Sequence, residues 1–254
     1  MSLVETNWLE KNLTTVKIID STWHMPQTQR NGFEEYKVEH IPNAIFFDID
    51  QNSKKDTDLP HMLVEQDEWK KIVSKMGITK KDKIIIYDNS DVISSCRCWY
   101  NFIYFGHDPK LIYVLNGGFK KWKNEKKETT KKFPHIQITK YETSENKKLV
   151  KSKEEINKNI DTQFFKLIDA RNKDRFEGKV PEPRKGLKSG NIKNSFCLPF
   201  GLCLNENKTF KNKNELKNIF KSYIKNLNDK DIVFSCGSGI TACVLALAYS
   251  LIND

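Results

Sequence analysis

Short β-branched runs ending in an acid or a cysteine punctuate the chain: Ile18-Ile-Asp20, Lys83-Ile-Ile-Ile-Tyr-Asp88, Leu167-Ile-Asp169 and Asp231-Ile-Val-Phe-Ser-Cys236. Their length and near-continuous apolar character predict buried parallel strands rather than half-exposed antiparallel ones. Between them lie longer stretches with helical spacing of apolar residues, such as 66–76 and 215–227. Strands alternating with helices argue for parallel α/β layers. A further short strand is expected at 135–139, where His-Ile-Gln-Ile-Thr alternates.

The pattern repeats. Asp20 and Asp88 are 68 residues apart, and Asp169 and Cys236 are 67 apart. Each half also has a segment that turns into a strand about twenty residues after its first Asp, His40-Ile-Pro-Asn-Ala-Ile-Phe-Phe in one and Gly190-Asn-Ile-Lys-Asn-Ser-Phe-Cys-Leu-Pro-Phe in the other. The chain therefore reads as two copies of one α/β unit, 1–124 and 148–254. A charged, turn-rich linker at 125–147 is expected to cross the surface between them. Asp88 holds in the first copy the place that Cys236 holds in the second. A carboxylate cannot carry sulfur, so the first copy is expected to be a scaffold.

Cys236 carries the chemistry. It stands between an apolar strand and the helix-forming run Thr241-Ala-Cys-Val-Leu-Ala-Leu-Ala-Tyr-Ser, with Gly237 and Gly239 in the loop. Glycines there let successive backbone N–H groups turn inward. A sulfur over such a nest, at a helix N-terminus, has its thiolate favoured by those dipoles. The expected roles are nucleophile or sulfur carrier; the bland alternative is a structural cysteine after a buried strand.

Charge changes this picture little. Formal net charge is +10, but only five of the 43 basic residues are arginine, and the lysines are scattered through Asn-rich loops. No aromatic-interleaved basic stripe marks a nucleic-acid surface. The first residues contain neither a basic n-region nor an apolar h-region, and no apolar run approaches the ~18–20 residues of a membrane span. None of the six cysteines makes a CxxC pair or sits at zinc spacing from a histidine. The reading is a cytoplasmic chain with reduced thiols and no metal or organic cofactor.

In a chain that otherwise chooses lysine, Arg171, Arg175 and Arg184 fall within fourteen residues. Arginine grips a carboxylate or oxyanion with a planar fork that lysine lacks. They follow the first strand of the second copy, and loops at the carboxyl ends of parallel strands share one face. Arg175 and Arg184 are therefore expected to hold an anionic substrate beside Cys236. The competing reading pairs one or more of the three with Asp169, Asp174 or Glu182, most readily Arg171.

These features resemble the 3-mercaptopyruvate sulfurtransferase branch of the two-domain rhodanese family. The carriers are Cys236-Gly-Ser-Gly-Ile-Thr-Ala, the Cys-less first copy, Arg175-x8-Arg184 ending in Pro-Glu-Pro-Arg, Asp20-Ser-Thr-Trp, His40-Ile-Pro-Asn-Ala-Ile-Phe-Phe-Asp-Ile-Asp50, His61-Met-Leu, Tyr87-Asp-Asn-Ser-Asp, Phe105-Gly-His and Leu115-Asn-Gly-Gly-Phe-Lys-Lys-Trp122. The similarity runs from about residue 16 to 250. It implies a tandem rhodanese-like fold, each domain a parallel sheet flanked by helices. It implies sulfur transfer from 3-mercaptopyruvate to Cys236, with release of pyruvate, and then to cyanide or a thiol such as thioredoxin or a low-molecular-weight thiol. By the same resemblance Ser238 is a proton-transfer partner, and Asp50 and His61 reach across from the first domain to complete the relay. Arg175 and Arg184 bind the donor's carboxylate and carbonyl, and Gly237, Gly239, Ile240 and Thr241 form its loop. The neutral loop disfavours the second enzymatic reading, thiosulfate:cyanide sulfurtransfer. Related phosphatases need an arginine where this chain has Ala242.

Two departures from that pattern stand out. The turn at Gly190-Asn-Ile-Lys-Asn-Ser lacks the His and Pro of His40-Ile-Pro, which a surface-facing turn would tolerate. After its loop helix the first copy continues through Lys110-Leu-Ile-Tyr-Val-Leu-Asn-Gly-Gly-Phe-Lys-Lys-Trp122, whereas the second stops at Ser250-Leu-Ile-Asn-Asp254. The expectation is a second domain without its last strand and helix, with unpaired backbone and bare apolar surface in consequence. This leaves a reading of a third kind, an inactive or binding-only fragment.

Overall fold

The four runs that end at or before Asp20, Asp88, Asp169 and Cys236 form strands, and among the described residues every strand pairing is parallel. The structure, a computed structural model, describes residues 2–183, 187–223 and 232–253. Two units emerge from the contacts, Met1–Lys147 with Glu206–Thr209, and Lys148–Asn205 with Phe210–Asp254.

The first unit runs β1 (Leu3–Val4), α1 (Thr6–Glu10), β2 (Lys17–Asp20), α2 (Gly32–Val38), β3 (Ala44–Phe46), α3 (Gln66–Lys75), β4 (Ile84–Tyr87), α4 (Ser95–Tyr104), β5 (Ile112–Leu115) and α5 (Gly118–Asn124). Its five strands lie in the order β1-β5-β4-β2-β3. All four residues of β4 are buried, as a central strand covered on both faces requires. Ile18, Ile85, Tyr36, Leu115, Phe119 and Trp122 close one core cluster. On α2, Asn31 accepts the N–H of Glu34 and so satisfies one donor of the first turn.

The second unit runs α6 (Lys153–Thr162), β6 (Lys166–Asp169), α7 (Lys173–Phe176), β7 (Phe196–Cys197), α8 (Lys213–Lys221), β8 (Ile232–Ser235) and α9 (Ile240–Asn253). Ser152 with Glu155, and Asn212 with Glu215, form capping boxes that start α6 and α8 where the apolar spacing begins. Each such cap stabilises its helix by about 1 kcal/mol. Of the helix expected at 215–227, residues 224–227 lie outside the described ones. Leu167, Ile168, Leu198, Leu216, Phe220 and the α9 residues Val244, Leu245 and Leu247 are buried.

The internal repeat holds at the level of register. Asp20 pairs with Tyr87 as Asp169 pairs with Ser235, which puts Asp88 and Cys236 one residue beyond equivalent strand ends. The backbone repeats too: Ser21 N donates to Tyr87 O at 2.9 Å and Ala170 N to Ser235 O at 2.8 Å.

Two local expectations change. No strand forms at 135–139; Thr139 N instead donates to Ser74 O at 3.0 Å, so this backbone serves the last turn of α3. The segment 125–147 packs along the first unit: Thr130 bridges His40, and Tyr141 is fully buried with its hydroxyl 3.0 Å from His107 Nδ1. The turn that lacks His and Pro faces the surface as expected, with Asn191, Lys193 and Asn194 exposed, whereas His40 of the first copy is fully buried, its ring nitrogens reaching the carbonyls of Tyr36 and Lys132.

Among the described residues the second sheet has three strands, β7-β6-β8, with no counterpart of β5 beside β8. All four β8 residues are only half-buried, unlike those of β4. The bare apolar surface expected alongside is not found on α9, most of whose side chains are buried. No helix of the described residues is long and apolar enough to cross a membrane.

Candidate active site

β8 ends at Ser235, α9 begins at Ile240, and the intervening loop folds back over the sulfur of Cys236. Gly239 takes φ +80°, a left-handed conformation that costs a glycine little, and its N–H donates to Cys236 Sγ at 3.1 Å. An anionic sulfur accepts such a bond more strongly than a neutral thiol, and the aligned peptides at the start of α9 act in the same direction. Cys243 Sγ lies 3.0 Å from Gly239 O, tying the loop to the first turns of the helix. Ser238 and Thr241 are half-buried, whereas Ile240 is 2% exposed, so its side chain serves the core and only its backbone serves the loop.

The first copy builds the same nest around a carboxylate. Asp88 Oδ2 accepts Ser90 N at 3.0 Å, Ser94 N at 3.2 Å and the Ser90 hydroxyl at 2.5 Å. The inward donors are thus spent on the Asp88 side chain, buried at 5% exposure, just before α4. That loop has no cysteine at the place of Cys236.

Beside the Cys236 loop the arginines form a chain of ion pairs with two acids. Arg171 grips Asp169 with Nε and Nη2, at 3.0 and 2.7 Å from Oδ2. Its Nη1 donates to Glu182 Oε1 at 2.7 Å, and Nη2 also reaches the carbonyl of Gly190 at 2.7 Å. Glu182 in turn holds the fork of Arg175, through Nε at 3.1 Å and Nη2 at 2.5 Å. Arg171 is therefore a structural residue, as the competing reading allowed. Arg175 sits at the loop as expected, but its fork is already engaged. Gly237 shows how near it is: a Cβ on that residue would meet Arg175 Nη2 at 3.1 Å. Hydrogen bonds from Arg175 hold the Glu182 carboxyl below its ordinary range, so the acid is charged at neutral pH. Arg184 lies outside the described residues.

In three of the other thiols burial disfavours the thiolate. Burial pushes Cys98 well above its ordinary value, Cys203 up to about 12, and Cys197 upward.

In the first unit, Asp50 and His61 do come together. His61 Nε2 lies 2.8 Å from Asp50 Oδ1, and Trp23 Nε1 donates to Asp50 Oδ2 at 2.9 Å. The bond from His61 holds the Asp50 carboxyl below its usual range. His61 is 6% exposed and edge-on to Trp23, with its Nδ1 unpartnered among the described residues. It adopts φ +57°, unusual for a non-glycine residue, and Arg97 Nη2 donates to its carbonyl at 2.6 Å.

Sequence reasoning missed Trp23 and Arg97 as supports of this pair, and treated Glu182 only as an alternative partner for arginine. Arg97 carried a signal, being one of five arginines in a lysine-rich chain. Trp23 carried one too, as the last residue of the Asp20-Ser-Thr-Trp stretch that bears the family resemblance.

Known proteins resemble this chain along nearly its whole length. Residues 5–125 and 152–252 each match the rhodanese-like domain family. The chain is 36% identical to thiosulfate/3-mercaptopyruvate sulfurtransferase 1, mitochondrial, of Arabidopsis thaliana, over 96% of this chain and 70% of that one. It is 32% identical to the 3-mercaptopyruvate sulfurtransferase of Mus musculus, over 97% of this chain and 84% of that one. It is also 32% identical to the thiosulfate sulfurtransferase of Bos taurus, over 97% and 85%. Among solved structures, SseA from Escherichia coli, a 3-mercaptopyruvate sulfotransferase, superimposes with a TM-score of 0.88 at 28% identity, covering 100% of this chain and 95% of that one.

Proposed function

The chain belongs to the rhodanese-like family of sulfurtransferases, and on that premise we propose that it takes sulfur from 3-mercaptopyruvate onto Cys236 and passes it to a thiol or to cyanide. The Cys236 thiolate attacks the thiol sulfur of the donor. A new S–S bond forms, the donor's C–S bond breaks, and its electron pair stays on carbon as the enolate of pyruvate. Protonation of that carbon gives pyruvate, and Cys236 is left as a persulfide. An acceptor thiolate, that of thioredoxin or a small thiol, then attacks the outer sulfur and regenerates Cys236.

Roles follow chemistry. Gly239 N–H, already on the sulfur, stabilises charge there before attack and after transfer. Arg175, against Gly237, receives the donor's carboxylate with Arg184 as its second cation. Ser238 hands on the proton. No side chain of the loop from Gly237 to Thr241 is charged. That single observation carries the donor assignment: a monoanionic mercaptocarboxylate suits such a loop, whereas dianionic thiosulfate wants added positive charge. Relatives named for both donors are about equally similar, so the loop decides. The reading includes a cytoplasmic setting, resting on six cysteines none of which is in a disulfide.

The test is a donor comparison at equal cyanide. Mercaptopyruvate should exceed thiosulfate in kcat/KM by at least about tenfold, a difference of about 1.4 kcal/mol in transition-state stabilisation. Equal use of the two donors would transfer the assignment to general thiosulfate sulfurtransfer.

A further inference from the structure

Among the described residues Glu182 is shared by Arg171 and Arg175, and the Pro-Glu-Pro stretch presents it from irregular backbone rather than a helix or strand. Its side chain is 3% exposed, Arg171 is 10% exposed and Arg175 21%, so these charges meet largely away from water. Asp169, Arg171, Glu182 and Arg175 form an unbroken chain of two anions and two cations. The chain sums to zero. Arg175 therefore reaches the Cys236 loop with its charge already balanced, though not all of its five N–H donors are spent: Nε and one Nη2 hydrogen go to Glu182, which leaves the two Nη1 hydrogens and the second Nη2 hydrogen for a ligand.

We propose that Glu182 determines donor specificity at this site. By balancing Arg175 it keeps that residue's hydrogen-bonding capacity while lowering the positive charge of the donor site by one unit, which favours a singly charged mercaptocarboxylate over a doubly charged sulfur donor. Two arginines beside a cysteine would by themselves attract a dianion more strongly than a monoanion, since each added unit of ligand charge adds a further Coulombic gain. The buried carboxylate removes that advantage while keeping the fork in place. The inference rests on the mercaptopyruvate reading above and names the residue that makes the donor site selective.

Glu182→Gln tests it. Glutamine keeps the length and one carbonyl acceptor but removes the charge, and Arg171 remains held by Asp169. The ratio of kcat/KM for thiosulfate to kcat/KM for mercaptopyruvate should rise about tenfold, the effect of one unit charge near a partly buried ligand. The added thiosulfate activity should fall with salt more steeply than the mercaptopyruvate activity. A binding readout without turnover accompanies it: protection of Cys236 from iodoacetamide by sulfate, a dianion, against protection by pyruvate, a monoanion. Sulfate should gain on pyruvate in the variant by a similar factor. If both donors and both protecting anions weaken together with their ratios unchanged, Glu182 is only a clamp and the proposal fails. Glu182→Asp keeps the charge and shortens the reach, so it should lower both rates at constant ratio; a shifted ratio there would overturn the proposal even if the glutamine variant did not fold. Failure of the wild type to take sulfur from mercaptopyruvate would instead refute the proposed function, while anion protection would still report on Glu182.

Discussion

Gly237 lies against Arg175 so closely that a Cβ there would stand 3.1 Å from the guanidinium Nη2, tighter than an ordinary van der Waals contact. The nucleophile's loop is thus next to the arginine proposed to bind the donor, and that guanidinium cannot give way cheaply because Glu182 anchors it. Gly237→Ala should therefore displace Arg175 by a few tenths of an ångström and raise KM for mercaptopyruvate severalfold. Alkylation of Cys236 by neutral iodoacetamide should change much less. Steady-state kinetics beside alkylation rates check both; an unchanged KM would mean that Arg175 does not bind the donor.

Arg171 and Arg175 should fail in different ways. Removing Arg171 leaves Asp169, at 4% exposure, without its main partner, and stranding a buried charge costs about 3–5 kcal/mol. Arg171→Met is expected to lower thermal stability strongly. Arg175→Lys keeps the charge but loses the fork, so it should leave the melting temperature within a few degrees and raise KM. Melting curves and donor titrations on the two variants separate the roles.

A pH effect on stability follows from the first copy's own departure from symmetry. Two residues after Asp169 stands Arg171, but two residues after Asp20 stands Thr22. Thr22 gives Asp20 hydrogen bonds at 2.9 and 2.5 Å and no charge. Burial accordingly pushes the Asp20 carboxyl from 3.8 up to about 7, against the lowering effect of those bonds. A raised carboxyl binds its proton more tightly in the folded state. Its stabilising contribution is complete below about pH 3.8, declines as pH rises, and is gone above about 7, at up to about 1.4 kcal/mol per pH unit crossed. Asp20→Asn should match the wild type near pH 4 and exceed it in stability at pH 8. Denaturant melts across that range decide it, and a difference constant with pH would show Asp20 to be ionised throughout.

Much of this was legible in the chain because it rests on local chemistry. The strand ends at Asp20, Asp88, Asp169 and Cys236 were marked by β-branched runs, and their registers follow the spacing of the repeat. The Cys236 loop was marked by its glycines. What could not be read was the sharing of charge among residues brought together by turns. Nothing in the Arg171–Arg184 segment says that Glu182 takes both Arg171 and Arg175, because that depends on how the proline-flanked turn folds back on β6. Nor did the alternation at 135–139 reveal that the segment lies along α3 rather than in a sheet, since five alternating residues fit either arrangement.

Sulfur on Cys236 can be weighed directly. Intact and peptide mass spectra taken after brief exposure to 3-mercaptopyruvate should show the mass of one added sulfur atom, on the peptide containing Cys236, removable by dithiothreitol. Cys236→Ser should abolish the addition. Cys243→Ser should retain it, because that thiol is 4% exposed and engaged with the carbonyl of Gly239. Sulfur found instead on Cys197, Cys203 or Cys96, or persisting in Cys236→Ser, would contradict the assignment of Cys236 as the sulfur carrier.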